Sequence, residues 1–290
     1  MKMMKRNMNI VKTFLLSFFF GMNVWNCEDK KIDPTIGPVP ESFTKKVLIE
    51  EFTGAWCGYC PDGAYRLENI ISENIGNVIG VSTHSGDAME VPQTSLLEST
   101  YLNPGYPSGM VDRFNYNGIV SINRGYWSYI TSEQLLKIAP CGLAIKSKVK
   151  SNTASISVHV GFNTNLSGDH RLTVYLIEDG VVGSGYGYDQ MNFYDSDSAS
   201  TFYGLGNPIE GYEHNHTLRL TLSEPLGDLI GSSFLVPGGE YIEEYEVDIS
   251  DYDNDNLSIV AFVNYVGLTY LEHEVLNVQN CKINSTKDWD

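Results

Sequence analysis

Cys57 and Cys60, separated by two residues, are the side chains of this sequence best suited to chemistry. They sit in Trp56-Cys57-Gly58-Tyr59-Cys60-Pro61, shortly after the apolar run Val47-Leu48-Ile49-Glu50-Glu51-Phe52. A β-type run that delivers Cys-x-x-Cys to the start of a helix is the layout of a thiol–disulfide exchange site. The attacking species in such exchange is the thiolate. Unpaired N–H groups and the dipole at a helix N-terminus favour that anion. Cys57 is therefore the candidate nucleophile, and Cys60, one turn further on, the candidate resolving thiol. The same spacing can supply half of a zinc site, but zinc needs two more ligands. The chain has no second Cys-x-x-Cys and His84 is isolated in sequence, so no metal and no cofactor are expected. The competing reading of the pair is a purely structural disulfide.

Other polar clusters are weaker. His214 and His216, two apart on an expected strand, point to one face and read as a polar face rather than a metal pair. Asp251-Tyr252-Asp253-Asn254-Asp255-Asn256 fails as a calcium loop, because its sixth position is Asn256 and its twelfth is Phe262. It reads as a solvated turn. No Ser/His/Asp arrangement and no phosphate-binding glycine loop is present.

The elements that must position Cys57 and Cys60 alternate between strand and helix. Lys46 to Phe52 reads as a buried strand, Cys60 to Ser72 as a helix with an apolar face, Asn77 to His84 as a second strand and Gln93 to Leu102 as a second helix. Ser108 to Phe114 and Gly118 to Ile122 read as a hairpin, and Trp127 to Ile138 as a third helix. Beyond Pro140-Cys141-Gly142 the helical pattern gives way to alternation, first in Leu143 to Val149 and Ala154 to Val160, then in several later runs. The expected fold is an α/β domain over 44–140 followed by an antiparallel, immunoglobulin-like β-sandwich over 141–290. Residues 184–211 form a long insertion rich in Gly, Tyr, Ser and Asp, crowded with Tyr186, Tyr188, Phe193, Tyr194, Phe202 and Tyr203. Loops of that length are functional or mobile.

The first 26 residues read as an export signal, with Lys2, Lys5, Arg6 and Lys12 ahead of the apolar stretch Thr13 to Trp25. Removing those four basic residues takes the formal charge from -17 to -21. So acidic a chain repels nucleic acid. Cys27 follows the apolar stretch directly and is the candidate lipidation site, giving membrane attachment through an N-terminal lipid, although Val24 and Asn26 depart from the usual residues before such a cysteine. Residues 27–43 read as a tether. With Cys57 and Cys60 as a local pair, Cys141 and Cys281 are left either as a second disulfide or as two buried thiols.

Glu51-Phe52-Thr53-Gly54-Ala55-Trp56-Cys57-Gly58-Tyr59-Cys60 resembles the active-site segment of thioredoxin-like proteins, protein disulfide isomerases in particular. The resemblance implies that Glu51, six residues before Cys57, serves as a buried acid that moves the proton of Cys60. It also implies a cis-proline facing the cysteines. Pro107, in Gly105-Tyr106-Pro107-Ser108, takes that role by order and context, and the competing Pro104 lies farther from the strand. Trp56, Tyr59 and Tyr106 would then line the substrate site, and the partners would be thiols or disulfides of exported proteins. Over its whole length the chain is similar to a family of Bacteroidetes outer-membrane lipoproteins named for a Porphyromonas protein. The likeness rests on the signal, cysteine and tether, on Tyr-Pro-Ser-Gly-Met-Val-Asp-Arg (106–113) and on His214-Asn215-His216-Thr217-Leu218-Arg219. It implies an outer-membrane location on the periplasmic or cell-surface side, and a function either in thiol–disulfide exchange or in non-catalytic binding or adhesion.

Overall fold

The computed structural model describes residues 36–290; the export signal, Cys27 and the first part of the tether lie outside them. Among the described residues no helix is long and apolar enough to cross a membrane.

The first half places a strand at the centre and helices on either side. β1 (Val47–Thr53) pairs in parallel with β2 (Val78–His84) and antiparallel with β3 (Ser108–Val111), which pairs in turn with β4 (Ile122–Asn123). Every residue of β1, β2 and β3 is buried, including the polar Glu50, Glu51, Ser82, Thr83, His84 and Ser108. One face of β1 carries Val47 and Ile49, packed with Leu67 and Ile70 of α1 (Cys60–Glu73) and with Trp127 and Ile130 of α3 (Trp127–Leu135). The opposite face carries Leu48 and Phe52, packed with Leu97 of α2 (Thr94–Thr100) and with Tyr101 just beyond it.

The expected pairing of the two strands over 108–122 forms, but between shorter strands than expected. Strand β3 stops at Val111 because Asp112 and Arg113 both adopt positive φ, near 49°, which turns the chain out of the sheet. The Asn115–Gly118 stretch forms its own tight turn, closed by Tyr116 and Ile119, and β4 starts only at Ile122.

The second half consists of strands. β5 (Cys141–Lys150), β6 (Thr153–Phe162), β10 (Glu240–Asp248) and β13 (Thr286–Lys287) form one antiparallel sheet in the order β10-β6-β5-β13. It packs on β7 (His170–Glu178) and β11 (Leu257–Tyr265), with Ile145, Val158, Val174 and Ile259 in the shared core. β12 (Val275–Lys282) flanks β11.

The two halves share one sheet. Its strand order is β12-β11-β7, then β8 (Thr217–Thr221), then β2-β1-β3-β4, with the short β9 (Asp228–Leu229) paired to β7. The junction is β8, which runs antiparallel to β7 and meets β2 in parallel at Ser82 and Thr217. A second seam is polar. Arg113 lies fully buried, donates to both carboxylate oxygens of Glu50 at 2.7 and 2.8 Å, and stacks over Tyr101 and Phe262. Asp112 beside it accepts from Lys45 at 2.7 Å and from the Leu48 amide, and its carbonyl accepts from the Val275 amide. The Asp-Arg that closes the 106–113 motif thus clamps β1 to β11 and β12.

The end of the expected tether is part of the fold. Phe43 covers Gly142 so closely that a Cβ there would lie 2.1 Å from its ring, and Val39 covers Gly161 in the same way.

A Cys141–Cys281 disulfide does not form: both are buried free thiols. Asn277 donates to the Cys141 carbonyl and Gln279 to that of Leu143, which sets Cys141 level with Asn277. Cys281 lies four residues further along β12, about 13 Å at strand spacing. A disulfide needs Cα atoms within about 7 Å.

Candidate exchange site

The site begins at the end of β1, where Phe52-Thr53-Gly54 leaves the sheet and the chain turns over Gly54 to Cys57 into α1. The Cys57 amide donates to the Gly54 carbonyl at 2.9 Å and the Cys60 amide to the Cys57 carbonyl at 3.1 Å. Cys57 and Cys60 are joined as a disulfide, with Cα atoms 5.4 Å apart. Cys60 opens α1, Pro61 fits its first turn because no N–H is needed there, and Cys57 lies just ahead of the helix N-terminus. Cys57 is 5 % exposed and Cys60 is 1 % exposed.

Adjacent acids in β1 point to opposite faces, as strand geometry demands. Glu50 meets Arg113. Glu51 goes to the α1 side, where Ser82 Oγ donates to one of its oxygens at 3.3 Å and the other has no protein partner among the described residues. Burial pushes the Glu51 carboxyl up to about 8, against the smaller opposing effects of the Ser82 hydrogen bond and of Arg124. It is therefore protonated at neutral pH.

The Tyr106–Pro107 peptide is cis. Pro107 and Glu51 converge on Gly63 in the first turns of α1. A Cβ at Gly63 would lie 2.3 Å from Glu51 Oε1 and 2.7 Å from Pro107 Cβ, so only glycine lets the helix approach both. Trp56 and Tyr106 contact each other edge to face at 5.1 Å, and the Trp56 indole donates to the Ser85 carbonyl at 2.6 Å. Tyr59 turns the other way, toward Phe193 and Tyr194.

Behind the disulfide lies a cavity of about 180 Å³, lined among others by Glu51, Cys60, Ser82, His84, Tyr212 and His214. Glu51 and Cys60 open onto the same space. His84 Nδ1 is 2.7 Å from Asp87 Oδ2, and its ring meets that of His214 edge to face at 5.0 Å. Burial first, and then the neighbouring His84, push His214 down to about 4, so its ring is neutral. His214 and His216 do not stand on one strand face. They precede β8, and His216 takes a positive φ of 56° that turns it toward Glu68, 3.1 Å from Nε2. Among the described residues no group of histidine, cysteine and acidic side chains has metal-holding geometry.

The long insertion closes over the cysteine loop. The Met191 amide donates to the Ala55 carbonyl at 2.7 Å and the Phe193 amide to the Gly58 carbonyl at 2.9 Å. The Gln190 amide group reaches the carbonyls of Gly54, Ala55 and Cys57 at 3.4, 3.2 and 2.9 Å. Sequence reasoning marked this segment by its aromatic content and length but placed neither Gln190 nor Met191. The cavity histidines were likewise visible only as isolated residues.

Two solved structures share this fold. HBP35 of Porphyromonas gingivalis matches with a TM-score of 0.66 at 20% identity, over 83% of this chain and 76% of that one. A structural-genomics protein from Agrobacterium tumefaciens matches with a TM-score of 0.52 at 11% identity, over 84% of this chain and 97% of that one. At these identities the likeness is one of fold. No curated protein sequence matches the chain. The family model described as outer membrane protein Omp28 matches residues 94–287, more than half of the sequence, and the chain belongs to that outer-membrane protein family.

Proposed function

We propose that this outer-membrane protein is exported, anchored by lipid on Cys27, and performs thiol–disulfide exchange on exported proteins at Cys57 and Cys60. In this reading the first half is thioredoxin-like and the second an immunoglobulin-like sandwich. The strand order β2-β1-β3-β4, with α1 and α3 on one face and α2 on the other, supports the first assignment. The two packed antiparallel layers support the second. The family match starts at residue 94, beyond the cysteine loop, so the exchange reading rests on geometry. The observation that carries it is the convergence of the disulfide, the buried Glu51 and the cis Pro107 on the first turns of α1.

The chemistry balances without a cofactor. A substrate thiolate attacks Cys57 Sγ, the Cys57–Cys60 bond breaks, and the electron pair leaves on Cys60 Sγ, which takes a proton from Glu51 across the shared cavity. A second substrate thiolate attacks its partner sulfur in the mixed disulfide and releases Cys57. The substrate dithiol loses two electrons and the protein disulfide gains them. In reverse, Cys57 attacks a substrate disulfide and Cys60 resolves. The test is a Cys60→Ser variant, which cannot resolve. It accumulates a mixed disulfide at Cys57 when incubated with a disulfide-containing polypeptide such as insulin. Absence of that adduct in the folded variant contradicts the proposal.

The near-complete burial of Cys57, in a loop to which residues 190–193 are hydrogen-bonded, favours a second reading, a binding or adhesion lipoprotein with a structural disulfide. On that reading Cys57→Ser keeps the cellular phenotype and deletion of 184–211 loses it.

A further inference from the structure

The insertion touches the cysteine loop in a patterned way. Met191 and Phe193, two residues apart, both donate main-chain N–H groups to carbonyls of the loop, at Ala55 and Gly58. Two main-chain donors on one short segment are a way in which a polypeptide is held through its backbone, here on a loop whose Ala55 and Gly58 lie in turns. The intervening Asn192 points the other way. It is fully buried, and its amide donates to the carbonyls of Phe202 and Gly206 at 2.9 and 3.0 Å. The segment thus has an inner edge on the cysteine loop and an outer edge braced within the insertion.

The loop is shaped to receive it. The Phe193 ring lies over Gly58, where a Cβ would sit 2.3 Å from the ring, and it meets Tyr59 edge to face at 5.2 Å. A side chain at position 58 would evict Phe193. The ring is nonetheless 56 % exposed, so it caps the loop without belonging to a core. The arms carry glycines at positive φ, Gly185 and Gly187 on the way in and Gly204, Gly206 and Gly211 on the way out.

We infer that residues 190–193 are a stand-in, within the same chain, for an extended polypeptide substrate. The surface formed by the Ala55 and Gly58 carbonyls, Gly58 and Tyr59 is the substrate-docking surface, and the strap must leave it before exchange at Cys57. The inference rests on the exchange reading above. It specifies a substrate class: an extended chain offering two N–H groups two residues apart and a large aromatic side chain at the second, not a small thiol and not a folded surface.

The test uses the oxidised mature chain and its Phe193→Ala and Gln190→Ala variants, with reduction of Cys57–Cys60 by dithiothreitol as a single-step readout. Both variants are expected to be reduced about tenfold faster than the natural chain. A cysteine-free decapeptide with the sequence of residues 187–196 is expected to slow the reduction of Phe193→Ala, and the same peptide with alanine for its phenylalanine is not. Reduction rates within twofold of the natural chain for both variants overturn the inference, as does a decapeptide without effect. Insulin turnover separates this from the parent reading. Faster, peptide-sensitive reduction without turnover keeps the strap and removes the exchange function. Turnover in the natural chain with unchanged reduction rates in the variants does the reverse.

Discussion

Glu50 and Glu51 are neighbours in one strand with opposite electrostatic fates. Glu50 is neutralised by a bidentate arginine, whereas Glu51 is buried beside a single hydroxyl donor and keeps its proton up to about 8. If Glu51 supplies the proton to Cys60 as the disulfide opens, Glu51→Gln slows reduction about tenfold or more at pH 6–7, a modest general-acid effect. The ratio of natural to variant rate falls toward one as pH passes 8, because the natural carboxyl is then ionised as well. Stopped-flow reduction across pH 5.5–9.5 checks this. The stability effect has a definite sign. The folded chain holds a proton that the unfolded chain loses near 4.5. The Glu51 contribution to stability therefore falls as pH rises from about 4.5 to about 8 and is flat on either side. Urea unfolding of Glu51→Gln lacks this component of the slope. Cys57 and Cys60 stand out in sequence because their spacing is local, whereas Glu51 and Pro107 were marked only through the resemblance to a thioredoxin-like segment. Gln190 was not, since it lies 133 residues from the Cys57 carbonyl it contacts and no periodicity encodes that contact.

At the scale of elements, the 106–113 motif has two duties. Its proline reaches Gly63 beside the cysteine loop, and its Asp112 and Arg113 leave β3 at positive φ to clamp β1 against the second half. Removing one partner of a buried ion pair costs about 3–5 kcal/mol. Arg113→Ala is thus expected to lower the melting temperature by about 10 °C for a chain of this size. The exposed Lys137–Glu274 pair is the contrast: Lys137→Ala shifts stability by less than about 1 kcal/mol. Calorimetry of both variants checks the difference, and equal shifts contradict it. The long strands β5 and β6 were readable from alternation because one face of each packs on the sandwich core. The end of β3 was not, because nothing in Ser108 to Phe114 announces two consecutive residues at positive φ. The buried acid and base that pull the chain aside have their partners elsewhere in the sequence.

At the scale of the molecule, the change from helical pattern to alternation near Pro140 is real in sequence, yet one sheet and one buried face run through both halves. Leu48, Leu97, Tyr175 and Phe262 belong to a single apolar cluster, and the described residues 36–290 fall in one compact unit. Circular dichroism at 222 nm follows the helices, and α1 to α3 all lie in the first half, whereas tryptophan fluorescence draws on both halves, through Trp56 and Trp127 and through Trp289 beside His159. Coincident urea transitions by tryptophan fluorescence and circular dichroism are expected; two separated transitions contradict a shared sheet that carries load. The joining contacts were hidden from a sequence reading because β8 meets β2 across a single residue pair, Ser82 with Thr217.

Exchange at Cys57 is decided by turnover of insulin disulfides by the mature protein in the presence of dithiothreitol, compared with its Cys57→Ser variant. Turnover above the dithiothreitol background is expected, and it disappears on replacing Cys57. A natural chain that is folded, has its Cys57–Cys60 pair reduced, and still gives no rate above that background would contradict such exchange.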